Sequence, residues 1–291
     1  MFEYLLIHPK AAVLAALLFG LLVGSFLNVV ALRLPRRLEW EWKRDARELL
    51  GLNAPYEPAP PGIVVEASHC PHCGHRLAPW ENIPLLSFLA LRGHCRQCRS
   101  AISWQYPLVE TLTGLMFAAC LWRYGLSWQA GLGMVLSAFL VALSVIDLRT
   151  TFLPDQLTLP LLWIGLLASL APVFATPTSA LLGAALGYLS LWSVYWGFKL
   201  LTGKEGMGYG DFKLLAALGA WCGASAILPI LLMASLVGAV VGSAWLLLSG
   251  RGRSTQIPFG PYLAIAGWIQ FMAGVDFLDL YLRWAVPAAA H

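Results

Sequence analysis

Long apolar stretches alternate with short polar ones over most of this chain. Apolar runs fall at about 11–32, 107–123, 126–146, 157–174, 178–201, 212–222, 226–249 and 258–282, and all but the short 212–222 are of a length that can cross roughly 30 Å of hydrocarbon. They predict eight membrane helices. The shortest is set off from its successor by Gly219, Gly223, Ser225 and Pro229. The first run is too long for the apolar core of a signal peptide and lacks a basic leader and a small-x-small cleavage site, so it reads as a span. Gly20, Gly24, Ser25 and Asn28 give it a small, polar face that another helix can approach closely, with Asn28 able to hydrogen-bond across the contact. Pro35 is expected to stop it. A second helical pattern follows, with apolar residues at 38, 42, 46, 49 and 50 among charges. It predicts a separate amphipathic helix, lying on the membrane surface or packed on a soluble domain, that Gly51 ends. Residues 53–62, rich in Pro and Ala, read as an extended linker.

Composition agrees with a polytopic membrane protein: 291 residues with only 12% charged and a mean hydropathy of +0.70. Charge then orients it. On the eight-span reading, Arg33, Arg36, Arg37, Lys43, Arg44, Arg47, Arg76, Arg92, Arg96 and Arg99 lie between the first two spans. Arg149, Lys199, Lys204, Lys213, Arg251 and Arg253 fall on the same side, which leaves only Lys10, Arg123 and Arg283 opposite. Lys and Arg mark the cytoplasmic face. If 212–249 were one span, Arg251 and Arg253 would change sides, so the charges favour the break. The net charge of +4 is a product of topology and calls for no nucleic acid. Trp122, Tyr124, Trp128, Tyr281 and Trp284 fit an interfacial aromatic belt.

The polar segment after the first span carries Cys70-Pro71-His72-Cys73 and Cys95-Arg96-Gln97-Cys98. Paired C-x-x-C units at this separation fit a zinc ribbon in which four thiolates close a tetrahedral site. His69, His72, His75 and His94 are substitute ligands; the all-Cys set, Cys70, Cys73, Cys95 and Cys98, is the simplest. A reducing compartment disfavours two disulfides, and a redox role for both pairs is less economical than a structural metal, which would supply folding energy to a segment with little core. Cys120 and Cys222 sit in apolar runs as packing residues. Glu110, near the start of the second span, is either a polar group inside the bundle or an acid favoured by the helix dipole. Glu39, Glu41, Asp45, Glu48, Glu57, Glu66 and Glu81 are either solvated surface or a docking face for a basic peptide.

Two acids remain. Asp147 closes the run 126–146, and Asp211 opens the short run after Gly208-Tyr209-Gly210. Each alone also fits a helix-end acid, Asp211 as a cap; Asp155 after Pro154 is the better N-cap. On the derived topology both lie at the cytoplasmic edge of the bilayer and can meet. Two carboxylates in one site share a proton, so the ionised one can take a proton from water attacking a peptide carbonyl while the other protonates the carbonyl oxygen. Gly208 and Gly210 leave the backbone free to bend and to admit an extended substrate. Two other readings stand beside this one: a transporter with a carboxylate relay, which would be expected to show internal repeats, and a scaffold whose acids only cap helices.

Gly208-Tyr209-Gly210-Asp211 resembles the G-x-G-D signature of intramembrane aspartyl proteases, the group that includes presenilin and signal peptide peptidase. Joined to Ile146-Asp147, Leu153-Pro154-Asp155, Gly24-Ser25-Phe26-Leu27-Asn28-Val29, Arg33-Leu34-Pro35 and the two C-x-x-C pairs, the chain resembles the bacterial type IV prepilin peptidases from end to end. The resemblance implies an all-α polytopic enzyme of the bacterial inner membrane, with the peptidase site and a small zinc-binding domain facing the cytoplasm. It implies removal of the basic leader of prepilins and type II secretion pseudopilins after a Gly, followed by N-methylation of the new N-terminus with S-adenosylmethionine. Asp147 and Asp211 would be the catalytic pair and Cys70, Cys73, Cys95 and Cys98 the zinc ligands. The expected organisation is a first transmembrane helix over 1–34, the zinc-bearing domain over 35–106 and the peptidase core over 107–291. A G-x-G-D protease acting on other membrane substrates without methyl transfer is the nearest alternative. No strand–Gly-rich–helix unit for a nucleotide is present, so the methyl donor is expected in another pocket, between the zinc-bearing domain and the bundle, with no residue named for it.

Overall fold

A computed structural model describes residues 9–52, 58–64, 66–249 and 258–274. Among them there is no β-strand. The helices are α1 (Pro9–Leu49), α2 (Leu86–Ala90), α3 (Gln105–Tyr124), α4 (Trp128–Thr150), α5 (Asp155–Ser169), α6 (Pro177–Thr202), α7 (Tyr209–Cys222), α8 (Ile227–Ser249) and α9 (Gly260–Ala273). Each of the eight apolar runs overlaps one helix, of which α5, α7 and α9 have only 15, 14 and 14 residues. Among the described residues, four stretches suffice by length and composition to cross a membrane: α1, α4, α6 and Ala224–Ala244. The far end of the last predicted span, with Asp276, Asp279 and Tyr281, and Arg251, Arg253, Arg283 and Trp284 lie outside the described residues.

The chain forms two compact units, Met1–Ala142 and Leu143–His291, divided within α4. In the first, α1 packs along α3. A Cβ on Gly20 would meet the Gly114 Cα at 2.7 Å, and one on Gly24 would meet the Glu110 Cα at 2.7 Å. The small residues at these positions therefore set the interhelical distance. Asn28 works as expected: its Nδ2 donates to the Tyr106 carbonyl at 3.3 Å, and its Oδ1 accepts from Gln105 Nε2 at 3.2 Å.

One expectation fails. Pro35 lies inside α1, so the first span and the predicted amphipathic helix are one element. Proline removes a single backbone donor and bends a helix without having to end it when the flanking residues favour helix; here Arg, Leu, Glu and Trp surround it. The helix ends at Leu49, and Gly51 takes a left-handed φ of +63° after it.

In the second unit, α7 is central. Asp211, Phe212 and every residue from Leu214 to Trp221 are buried, as expected for a helix that is apolar all round. Gly183 of α6 lies against the Gly219 backbone, and a Cβ on Gly165 of α5 would fall 2.6 Å from Trp221. Trp221 Nε1 donates to the Leu161 carbonyl at 2.9 Å, which satisfies a polar atom that burial would otherwise leave unpaired. The break after α7 lies where the glycines suggest: Gly223 has φ +86°, and a 3-10 turn, Ala224–Ala226, leads into α8.

Candidate functional site

The two singled-out acids sit in the second unit, at the C-terminal end of α4 and the first turn of α7. Asp147 is 4% exposed and Asp211 8%. They flank one side chain: Leu153 abuts both Gly210, next to Asp211, and Gly260, whose N–H bonds Asp147. Asp211 does not cap α7; Gly208, in an extended conformation, holds the cap position, and no side chain bonds there. Among the described residues no cation pairs with either acid. A buried carboxyl that neither caps a helix nor pairs with a cation does nothing for stability that an apolar residue would not do better.

Asp147 is oriented by a residue the sequence reading missed. Its Oδ2 accepts the Gly260 backbone N–H at 2.9 Å. A Cβ at Gly260 would stand 2.7 Å from that same oxygen, so only glycine permits this approach. Leu153, in the connection from α4 to α5, wedges between the two acids' neighbours. It lies 2.6 Å from where a Gly210 Cβ would be and 3.2 Å from where a Gly260 Cβ would be. Gly210 thus has a packing reason to be glycine, while Gly208 borders open space. Pro258-Phe259-Gly260-Pro261, with Pro in the first turn of α9, was a visible helix start; its pairing with a residue 113 positions earlier was not. Phe212 secures the start of α7 by stacking with Tyr188, Tyr195 and Tyr209 at centroid distances of 5.8, 5.7 and 5.3 Å.

Asp155 departs from expectation. Pro154 occupies the cap position of α5, and Asp155, one residue inside, pairs with Lys213 at 2.6 Å. Lys213, expected as a topological anchor, thereby ties the first turns of α5 and α7 together.

In the first unit, the four cysteines form two matching knuckles. Cys70 N–H donates to the His75 carbonyl and Gly74 N–H to the Cys70 carbonyl; Cys95 N–H donates to the Ser100 carbonyl and Arg99 N–H to the Cys95 carbonyl. Gly74 and Arg99 occupy equivalent left-handed positions, with φ +71° and +61°. All four Sγ atoms lie within 4.8 Å of one another, with Cys70–Cys98 at 3.8 Å and Cys73–Cys95 at 4.0 Å. Tetrahedral zinc with Zn–S near 2.3 Å needs sulfurs about 3.8 Å apart, so the cluster fits the metal. Of the substitute ligands, none of His69, His72, His75 and His94 belongs to it. The Cys73 backbone N–H, and after it that of His72, hold the Cys70 thiol down to about 6, and the Ser100 hydroxyl holds Cys98 below its ordinary value. Against the lowering effect of the His75 backbone, burial and the neighbouring sulfurs push Cys73 up to about 11. Four thiolates in one cluster need a cation between them.

Of the acids offered as a docking face, Glu81 is not surface. It is buried, and its Oε2 accepts from the Ala78 N–H at 2.7 Å and meets His75 Nε2 at 3.2 Å, bracing the first knuckle. Glu39 pairs with Lys43, and Asp45 and Glu48 with Arg44. Glu57 lies outside the described residues. Glu110 is buried one turn beyond the helix start and accepts the Leu85 N–H at 2.9 Å, which favours the polar-group reading over the helix-dipole one. Cys120 is fully buried, as expected of a packing residue. A cleft of about 160 Å³ lies among Arg36, Trp40, Lys43, Arg47 and Pro60.

Comparison with known proteins agrees along the whole length. Residues 18–124 match the bacterial peptidase A24 N-terminal domain, and residues 134–243 match the type IV leader peptidase family. A prepilin leader peptidase/N-methyltransferase of Xanthomonas campestris pv. campestris is 62% identical over 278 residues, 96% of this chain and 97% of that protein. Proteins of the same name from Pseudomonas aeruginosa and Aeromonas hydrophila are 54% and 53% identical. They cover 97% and 92% of this chain, and 98% and 91% of their own length. No solved structure gives a significant match.

Proposed function

The chain belongs to the type IV leader peptidase family, and we propose that Asp147 and Asp211 are the pair with which it cuts. It is a prepilin leader peptidase and N-methyltransferase, removing the leader and methylating the N-terminus that cleavage exposes. The observation that carries the assignment of residues is the pair itself: two buried carboxyls on different helices, neither capping nor ion-paired, with one aimed by a backbone N–H. One carboxylate takes a proton from water as the water attacks the scissile carbonyl. The other gives its proton to the carbonyl oxygen, and protonation of the departing amine restores the pair. The Gly260 N–H keeps Asp147 in one orientation throughout. Gly208, bordering open space, suits an extended peptide approaching Asp211.

The finer reading places the enzyme in the bacterial inner membrane with the helices of all eight apolar runs crossing it. The organisation is a first membrane helix to residue 34, a cytoplasmic zinc-bearing domain over 35–106 and a peptidase core over 107–291. The dyad and the knuckles then face the cytoplasm, where the positive-inside charges lie. The substrates are prepilins and pseudopilins, cut after Gly. Cys70, Cys73, Cys95 and Cys98 hold a structural zinc, which orders the knuckles and takes no part in proteolysis. S-adenosylmethionine supplies the methyl group, at residues not assigned.

The test is cleavage of a prepilin in liposomes by wild type, Asp147→Asn and Asp211→Asn, with the product N-terminus read by mass spectrometry. Each variant is expected to lose on the order of a thousandfold or more in rate, while still methylating a pilin supplied without its leader. Undiminished cleavage by either variant removes that residue from the mechanism.

A further inference from the structure

Between the knuckles, Ile83-Pro84-Leu85-Leu86-Ser87-Phe88-Leu89-Ala90-Leu91 is apolar enough for a core, yet three of its large side chains face outward while Leu85, Phe88 and Leu91 are half-buried. Leu86 is 64% exposed, Leu89 69% and Ile83 43%. Leu86 and Leu89 share one face of α2, at i and i+3. Exposed apolar clusters of this kind mark a surface with a partner.

The position of the segment identifies that partner. Leu85 has φ +58° and ψ −47°, and the Leu86 N–H reaches back to the Pro84 carbonyl at 2.6 Å, a strained γ-turn. The turn is pinned from α3 by the Glu110 carboxylate on the Leu85 N–H. Glu110 packs at the level of Gly24 in α1, whereas the first charge of α1 toward this end is Arg33, about 13 Å of helix rise further on. The γ-turn therefore hangs below the level at which α1 becomes polar. Trp104, 68% exposed, precedes α3, and its exposed face continues along that helix as Leu108, Leu112 and Leu115 at helical spacing. Phe88 stacks on Trp104 with centroids 5.0 Å apart, so α2 extends this apolar stripe past the helix start. The backbone suits an apolar boundary as well: the N–H groups of Ser87, Leu89, Leu91, Arg92 and Gly93 all donate to carbonyls within 83–89. Arg92, Arg96 and Arg99 follow at once, exposed, as in segments that meet anionic headgroups.

We propose that Ile83, Leu86 and Leu89 insert into the cytoplasmic leaflet of the bilayer, making the zinc-bearing segment a lipid-anchored element held by Glu110. This rests on the reading that α1 and α3 span the membrane.

The test places p-benzoylphenylalanine singly at Leu89, at Leu112 on the exposed face of α3, and at the exposed Gln97. Each full-length protein is reconstituted in phosphatidylethanolamine–phosphatidylglycerol liposomes and irradiated, and adducts are read by intact mass. Zinc content and prepilin cleavage verify folding; if the Leu89 variant fails them, Ile83 takes the probe. Lipid adducts are expected at Leu89 and Leu112, on the order of tenfold above Gln97. An adduct at Leu112 with none at Leu89 overturns the inference while leaving the span intact. Loss of both overturns the span reading and the inference with it. A covalent dimer, or an adduct with added prepilin in place of lipid, makes the segment a protein-docking face and equally overturns the proposal.

Discussion

The knuckle cluster and the aspartate pair solve the problem of holding charged groups together in opposite ways. The cysteines come from two short, nearly repeated loops whose hydrogen bonds span no more than nine residues, with two of the four exposed and little apolar packing to hold them. The aspartates come from helices 64 positions apart by number, buried and positioned by Leu153, Gly210 and Gly260 pressed against one another. On the proposed reading the first site takes its shape from a bound metal, whereas the second is shaped by close packing and its carboxyls are kept for chemistry.

That contrast breaks most visibly under chelation. With the proposed zinc bound, chelation or Cys70→Ser is expected to remove a contribution on the order of 10 kcal/mol from the knuckle segment. The segment is expected to become protease-sensitive while the bundle's helical circular dichroism persists. Simultaneous loss of both signals would mean that the bundle also leans on the metal.

Next in size, Gly260→Ala forces a methyl group against Asp147 Oδ2. A displacement near 1 Å at a reacting group costs about a hundredfold, so cleavage should fall by that order with melting temperature nearly unchanged. Gly197→Ala in α6, where nothing lies within 4 Å of the added Cβ, serves as the mild control in the same assay.

A smaller effect separates the sites by pH. Glu81 is held below the usual carboxylate range, chiefly by the Ala78 N–H and also by His75. A lowered folded value means that its contribution is complete above the unfolded value of about 4.3 and is lost as pH falls through the folded one. Glu81→Gln should therefore lower the knuckle segment's melting temperature at neutral pH, and the gap to wild type should close below about pH 4. A gap that persists there would assign the effect to packing.

The smallest expected change is a gain. Arg99 holds a left-handed conformation that its counterpart Gly74 adopts freely, so Arg99→Gly should stabilise the zinc-bound segment by up to about 1 kcal/mol, read as resistance to a competing chelator.

These differences also explain what could be read from the chain. The knuckles were legible because ligand spacing is local, and the helices of the eight apolar runs because those runs are punctuated by Gly and Pro. Asp147 and Asp211 could be singled out as isolated acids at the ends of apolar runs, and paired through the topology and the G-x-G-D resemblance. Gly260, Leu153 and the Glu110–Leu85 bond escaped, since each is a pairing across 25 residues or more that leaves no periodic trace. Glu81 escaped because burial of a lone acid is decided by its hydrogen-bond partners rather than by its neighbours in sequence. Pro35 misled for a related reason: a breaker in isolation became an interior residue once α1 had helix formers on both sides.

That continuous α1 behaves like a shaft with a fixed phase. Arg33 reaches across to the carbonyls of Gly62, Glu66 and Ala67, so the segment leading into the first knuckle is keyed to one angular position on it. Each residue in a helix advances about 100°. Adding a single alanine between Gly24 and Arg33 would rotate the key a quarter turn or more away from its slot while leaving composition, charge and hydropathy almost untouched. The length of the first helix between the membrane and Arg33 is thus a counted quantity, and homologues should change it by whole turns or not at all.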